Sequence, residues 1–133
     1  MVTEDYVSFE TAKLLKEKGF DCEKESITAM YREDGKFFSL SSADPYYYDY
    51  NDFDEYDYIA PTIQMAMKWL REEHGLFIGL VYQRECLPKA DKWFWKWNIS
   101  NKHNKFAFVE FGESDSYEEA CEVAIKYCLE KLI

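Results

Sequence analysis

The sequence predicts an α+β domain in which about five antiparallel strands form a single sheet with three helices packed on it, in the order αββαβββα. Three observations lead to this prediction. Apolar residues recur at helical spacing in three segments, they alternate in several others, and the predicted strands are joined by short turns. Strands joined by short turns pair in antiparallel fashion, and helices on one face are their natural cover. With 133 residues, the chain suits one domain over 1–133.

The first predicted elements are a helix over 9–18 and a β-hairpin. Ser8 offers a capping hydroxyl at the start of the helix, and Gly19 offers a residue suited to its C-terminal end. The hairpin is expected around Asp34-Gly35, because this dipeptide accommodates the positive φ of a two-residue turn. Segments 26–33 and 36–40 would be its two strands.

The next segment, Asp44 to Tyr58, reads DPYYYDYNDFDEYDY and carries six acids without one Lys or Arg. It supplies six of the ten net negative charges of the chain. Because Asp, Asn and Pro disfavour regular structure, we expect an irregular loop within the domain. Tyrosine combines a large contact area with a polar tip, and it is enriched where proteins contact partners. The candidate partner-binding side chains are Tyr46, Tyr47, Tyr48, Tyr50, Tyr56 and Tyr58 for contact, with Asp49, Asp52, Asp54, Glu55 and Asp57 for charge.

Three hypotheses compete for this acidic segment. It forms a docking surface for a protein partner, for which a basic partner is the electrostatic complement. It mimics the phosphates of nucleic acid, or it is a solvated loop whose rings fold back onto the sheet. The sequence argues against a calcium loop, because the sixth-position glycine is missing and the twelfth position from either start holds Ala60 or Ile63 instead of an acid.

A second helix is predicted over 61–74, with Pro61 in its first turn and Gly75 at its end. Strands are then expected over 76–83, 92–100 and 105–111. A final helix follows a capping box formed by Ser116 and Glu119, and it extends to about Leu132.

Alternation along the strand 92–100 places Trp93, Trp95, Trp97 and Ile99 on one face, which we interpret as core because burying such rings is favourable. The other face carries Lys92, Phe94 and Lys96. Together with a net positive charge between Arg84 and Lys105, this face is the alternative binding site, for a nucleic acid strand or a sugar. A third possibility is that the basic hairpin attracts the acidic segment within one chain or between two subunits, as a homodimer.

No catalytic or metal site is predicted. His74 and His103 stand in no metal-ligand spacing, and Cys86 has no neighbouring histidine to activate it. We therefore expect no enzyme activity and no cofactor, and an enzyme of a class that the sequence does not reveal is the remote alternative. The four cysteines are widely spaced and are expected to be buried free thiols.

Two stretches, YVSFETAKLLKEKGFD and APTIQMAMKWLREEHGLFIGL, together with Tyr117-Glu118-Glu119-Ala120, resemble small uncharacterised proteins carried by phages and mobile elements of gut bacteria. The similarity covers about half of the chain, and the matching motifs are helices with their caps. The resemblance implies an α+β fold and a phage or mobile-element context. It carries no known activity.

The whole sequence favours a non-catalytic interaction or accessory protein that acts through the acidic segment 44–58. The net charge of -10 argues against nonspecific binding of nucleic acid. No secretion signal and no apolar run of membrane-spanning length is visible, so we expect a cytoplasmic protein without a membrane partner. Aromatic residues make up 19% of the chain, which is more than a domain of this size can hide, and an exposed aromatic patch is therefore expected.

Overall fold

The structure is a computed structural model that describes residues 5–23, 26–39, 55–85, 92–105 and 107–133. It contains three α-helices, α1 Phe9–Glu17, α2 Ile63–His74 and α3 Tyr117–Tyr127. The last of these continues as a π-helical turn, Cys128–Leu132. The strands are β1 Ala29–Tyr31, β2 Phe37–Ser39, β3 Tyr58–Ile59, β4 Leu76–Arg84, β5 Trp93–Asn101 and β6 Ala107–Ser114.

The α+β class is confirmed, but the prediction of one five-stranded sheet was wrong. The strands form two antiparallel sheets of three strands each, in the orders β2-β1-β3 and β4-β5-β6. The described strands before α2 pair only among themselves, as do β4, β5 and β6 after it. A sixth strand, β3, lies at the end of the segment predicted to be a loop. Its residues Tyr58 and Ile59 pair with Tyr31 and Met30 of β1. The hairpin thus obtains its third strand from this nearby segment.

The chain divides into two compact units, residues 1–65 and 66–133. In the first unit, helix α1 buries Thr11, Ala12 and Leu15, while Ala29 and Met30 of β1 are fully buried. Ser8 caps α1 as predicted, because its Oγ accepts a hydrogen bond from the Thr11 N–H at 3.3 Å. The prediction of a single domain over 1–133 stays a prediction.

The predicted hairpin is present, but its turn has three residues rather than two. The backbone carbonyl of Arg32 accepts a hydrogen bond from Gly35 N–H, and the backbone N–H of Arg32 donates one to the carbonyl oxygen of Lys36. The turn therefore consists of residues 33–35. Gly35 has a φ of +89°, which is the left-handed conformation that a three-residue hairpin loop requires at this position. Helix α2 begins at Ile63, two residues later than predicted, since the Thr62 hydroxyl accepts from Met65 N–H at 3.2 Å.

In the second unit, helix α3 packs against β4, β5 and β6. Its fully buried residues are Ala120, Cys121, Ala124 and Ile125, which lie on the face turned to the sheet. Ser116 caps the helix as predicted, with its Oγ accepting from Glu119 N–H at 3.1 Å. Helix α3 thus covers one face of the sheet that carries the candidate site.

The pairing of β5 with β6 changes register between Ile99 and Ser100. Ile99 pairs with Glu110 and Ser100 pairs with Phe108, so Val109 is an extra residue in β6. Such a β-bulge reverses the inside-outside alternation beyond it. Phe108 and Phe111 therefore lie on the same face of the sheet, although they are three residues apart.

Candidate functional site

One face of the β4–β5–β6 sheet carries a row of exposed aromatic and apolar side chains. In an antiparallel sheet, directly paired residues share a face. We call this the open face, and its rows across the strands follow from the register: Phe77–Ser100–Phe108, Gly79–Asn98–Phe111, Val81–Lys96–Glu113 and Gln83–Phe94.

The open face exposes its apolar residues strongly. Phe108 is 72% exposed, Phe111 63% and Val81 51%, while Phe77 and Phe94 are half-buried. No described side chain of these rows is fully buried. This bears out the expectation of an exposed aromatic patch, although its most exposed rings, Phe108 and Phe111, were not selected by sequence reasoning.

The charges of the open face balance. Lys96 and Glu113 are direct partners across β5 and β6. The Lys96 Nζ lies 5.6 Å from the centre of the Phe111 ring, where the ring quadrupole attracts a cation. Lys96 thereby interacts with an exposed ring as well as with solvent.

The alternative ligand residues of the sequence prediction lie close together in the structure. Phe94 and Lys96 belong to the open face, and Lys92 directly precedes β5. A depression of about 450 Å³ lies at this end of the sheet, and Lys92 pairs with Asp115 across 3.5 Å there. Its lining is strongly charged and mixed in sign: Gln83, Arg84, Glu85, Lys92, Phe94, Glu113, Ser114, Asp115 and Glu119.

The opposite face confirms the core prediction for only part of the tryptophan row. Trp97 is 6% exposed and Ile99 is fully buried, but Trp93 is 48% exposed. The ring of Tyr117, the first residue of α3, lies 5.0 Å from the ring of Trp95, measured between ring centres. Trp93 lies two residues nearer the start of β5 than Trp95. Trp93 stacks on Tyr82 instead, with ring centres 5.2 Å apart and planes inclined by 20°. The tryptophans thus change from core to surface along one strand.

Most of the acidic segment, including Tyr46, Tyr47, Tyr48, Asp49, Tyr50, Asp52 and Asp54, lies outside the described residues. Its last four residues are described. Glu55 is exposed and Tyr56 is 59% exposed, as a partner surface requires. Asp57 was expected to supply surface charge, but the structure corrects this placement, because the residue is only 4% exposed.

Lys16 of α1 holds the end of the acidic segment. Its ammonium group donates to the backbone carbonyl oxygens of Glu55 and Asp57, the latter at 2.9 Å. It also lies 4.8 Å from the centre of the Tyr58 ring. Tyr58 in turn packs edge-on against Phe9, with ring centres 5.6 Å apart. Tyr58 is therefore part of the packing of the first unit rather than a freely displayed contact residue.

Three of the cysteines belong to the part of the chain that the structure describes. Cys22, Cys121 and Cys128 are free thiols, and the last two are buried as expected. Burial raises the pKa of Cys128 to about 12, and burial and Asp21 raise the pKa of Cys22, so neither is an activated thiolate. Cys86 lies outside the described residues.

Among the described ranges, no group of three or more His, Cys, Asp and Glu side chains is arranged to hold a metal ion. Within those same ranges, the search for a helix with the length and apolarity to cross a bilayer found none.

Comparison with known proteins yielded no match to a family model, to a curated protein or to a solved structure.

Proposed function

We propose that this chain is a non-catalytic interaction protein whose recognition surface is the open face of the β4–β5–β6 sheet. The observation that carries the proposal is the exposure of Phe108 and Phe111 in neighbouring rows of β6, with Val81 exposed on β4 of the same face. Burying one such side chain is worth about 1.5–3 kcal/mol, so leaving three of them in water on one face is costly. Clustered exposed apolar side chains mark interaction sites on soluble proteins.

The chemistry of the face favours a protein partner over nucleic acid. Lys96 and Glu113 cancel each other within the described rows, whereas binding of phosphate backbones needs clustered positive charge. The centre of a protein interface is instead apolar and aromatic, with few charges. The phage or mobile-element context implied by the resemblance belongs to the same proposal.

A second candidate surface is the acidic segment, as the sequence favours. Its support among the described residues is the exposure of Glu55 and Tyr56. Asp57 and Tyr58 would serve that surface indirectly, by fixing its end to α1. The open face belongs to the β4–β5–β6 sheet and Tyr58, the last residue of the acidic segment, to the β2–β1–β3 sheet, so separate variants can test the two candidates.

The test is an affinity capture in which the chain is immobilised as bait. Host lysate, to which an untagged copy of the chain has been added, is passed over the bait, and every retained protein is identified. We expect Phe108→Ser with Phe111→Ser to abolish retention, while the free energy of unfolding changes by less than about 0.5 kcal/mol because both rings are exposed. Val123→Ser is the matched control, since Val123 is a 41% exposed apolar residue on α3.

Tyr47→Ala with Tyr48→Ala reports on the second candidate. If this variant loses retention while the double phenylalanine variant keeps it, the acidic segment is the surface and the open face is not. Unchanged retention by the double phenylalanine variant refutes the main proposal by itself.

A further inference from the structure

We propose that the protein partner of the open face is the open face of a second copy of this chain, in a weak dimer with two-fold symmetry. This inference rests on the proposed function, because it takes the open face to be the recognition surface. Two properties of that face favour a second copy, its charge and its shape, and its size sets the strength of the association.

The charge of the chain permits two such faces to meet. Residues 1–65 contain 6 Lys and Arg against 15 Asp and Glu, whereas residues 66–133 contain 10 against 11. The net charge is thus -9 in the first unit and -1 in the second. Since the open face belongs to the nearly neutral unit and its rows carry one Lys and one Glu, the residues of two such faces carry no net charge that would repel them.

The positions of the two charges suit a two-fold axis. A symmetric interface must be complementary to itself, so that residue i contacts residue j and j contacts i. Lys96 and Glu113 are paired on neighbouring strands. An axis parallel to the strands and between β5 and β6 places β5 of one copy over β6 of the other. Each Lys96 then faces Glu113 of the second copy.

The shape of the neighbouring row, Gly79–Asn98–Phe111, is compatible with the same two-fold axis. The Phe111 ring protrudes from the face. Gly79, by contrast, has no side chain, and the amide of Asn98 lies across this glycine, because a Cβ built on Gly79 would be 2.7 Å from Asn98 Oδ1. The axis that pairs the charges brings each Phe111 over Asn98 of the second copy. In both halves of the interface, a protruding ring therefore meets a recessed part of the other copy.

The size of the face sets the strength of the dimer. The axis overlays only β5 and β6 of the two copies, and two strands with a spacing of about 4.8 Å and a length of eight residues make a face of about 10 Å by about 27 Å. Two such faces cover roughly 500 Å² in total projection, which is well below the roughly 1,600 Å² of a standard stable interface. We therefore expect association that depends on concentration rather than an obligate dimer.

The first test is sedimentation equilibrium of the full chain from about 1 μM to about 1 mM. The average mass of the wild type should rise from that of a monomer toward that of a dimer. Phe111→Glu should remain monomeric over the range, with an unchanged circular dichroism spectrum. A wild type that stays monomeric, or a Phe111→Glu variant that associates as before, overturns the inference.

The second test uses the charge pair, because charge reversal leaves a signature that only contact between copies can produce. Lys96→Glu and Glu113→Lys should each weaken association at least about tenfold, since each places two like-charge pairs in the dimer. An equimolar mixture of the two variants should associate about as well as the wild type.

The reason is that the mixed dimer restores both opposite-charge pairs. The introduced glutamate of one variant faces the introduced lysine of the other, and the two unchanged residues, Glu113 and Lys96, face each other as they do in the wild type. A mixture that associates no better than its components overturns the inference.

The outcomes separate the two proposals. A monomeric wild type that retains a host protein through Phe108 and Phe111 keeps the proposed function and refutes the dimer. Loss of both self-association and phenylalanine-dependent retention refutes both.

Discussion

The indole of Trp97 lies directly over Gly112 on the neighbouring strand. A Cβ built on Gly112 would be 2.5 Å from Cζ2 and 2.8 Å from Nε1 of that indole. The two residues are paired in the β5–β6 register, so glycine supplies the space in which the ring lies down against the sheet. This contact helps to bury Trp97, whereas Trp93 on the same face remains half-exposed.

Gly112→Ala should therefore destabilise the protein by about 1–3 kcal/mol, the usual cost of forcing atoms into a packed site. Urea unfolding measures the change. Trp97→Phe removes the indole atoms closest to Gly112, so adding Gly112→Ala to that variant should cost clearly less than it costs the wild type. Equal costs in the two backgrounds would show that the ring is not the obstacle.

The two tyrosines that end the acidic segment should differ in their effect on stability. Tyr58→Ala removes a half-buried ring that packs on Phe9, and we expect a loss of about 1–3 kcal/mol. Tyr56→Ala should change the free energy of unfolding by less than about 0.5 kcal/mol, because Tyr56 is exposed. Thermal unfolding of both variants measures the difference. Equal effects would contradict the placement of Tyr58 in the packing of the first unit.

Lys16→Met should loosen the end of the acidic segment, because it removes the donor to the carbonyl oxygens of Glu55 and Asp57. Charge-assisted hydrogen bonds are worth about 1.5–3 kcal/mol, and exposure of Lys16 reduces the expected loss to about 1 kcal/mol. Hydrogen exchange of residues 55–59 should become faster.

Lys13→Met is the control for this experiment. Lys13 lies on the same helix, and its ammonium group lies 4.7 Å from the centre of the Phe9 ring. We expect a loss of about 0.5 kcal/mol and unchanged exchange at 55–59. Faster exchange in the Lys13 variant as well would assign the effect to α1 as a whole.

Stability should decrease in alkali through Cys128. Its thiol has an ordinary pKa of 9.0, which burial raises to about 12 in the folded chain. Between these values the unfolded chain has lost the proton that the folded chain keeps, so the unfolded state binds fewer protons and stability falls as pH rises. The stabilising contribution is complete below the ordinary pKa of 9.0, and it falls by at most about 1.4 kcal/mol per pH unit above that value.

The measurement is the free energy of unfolding from about pH 8 to about pH 10.5, with Cys128→Ala for comparison. The alanine variant is less stable throughout because of its cavity, but its slope above about pH 9 should be smaller. Identical slopes would show that another group is responsible for the alkaline loss.

Local sequence signals determined the elements that depend on neighbouring residues. Ser8 and Ser116 predicted the starts of α1 and α3, since a hydroxyl at an N-cap needs only the N–H groups of the following turn. Asp34-Gly35 predicted the hairpin, although the turn uses Gly35 as the last of three residues rather than as one of two. Alternation predicted the strands β4 and β5 and placed Trp97 and Ile99 in the core.

The candidate site was only partly accessible to the same reasoning. Phe94 and Lys96 were placed on the uncovered face by strict alternation, which the β4–β5 register preserves. Phe111 was missed because an unbroken alternation from Phe108 would put it on the opposite face. The extra residue Val109 reverses that alternation, and nothing in the local sequence specifies where a bulge falls.

Local patterns along the chain were enough to locate the helices and the hairpin, to show where the negative charge concentrates and to show that there are more aromatic rings than a core can hold. The tertiary structure decided that the strands form two sheets, that Asp57 is buried and that Phe108 and Phe111 are exposed together. The physical reason is that caps and turns are closed by residues a few positions apart. Strand pairing and burial depend instead on contacts between distant residues, whose free energies no local pattern contains.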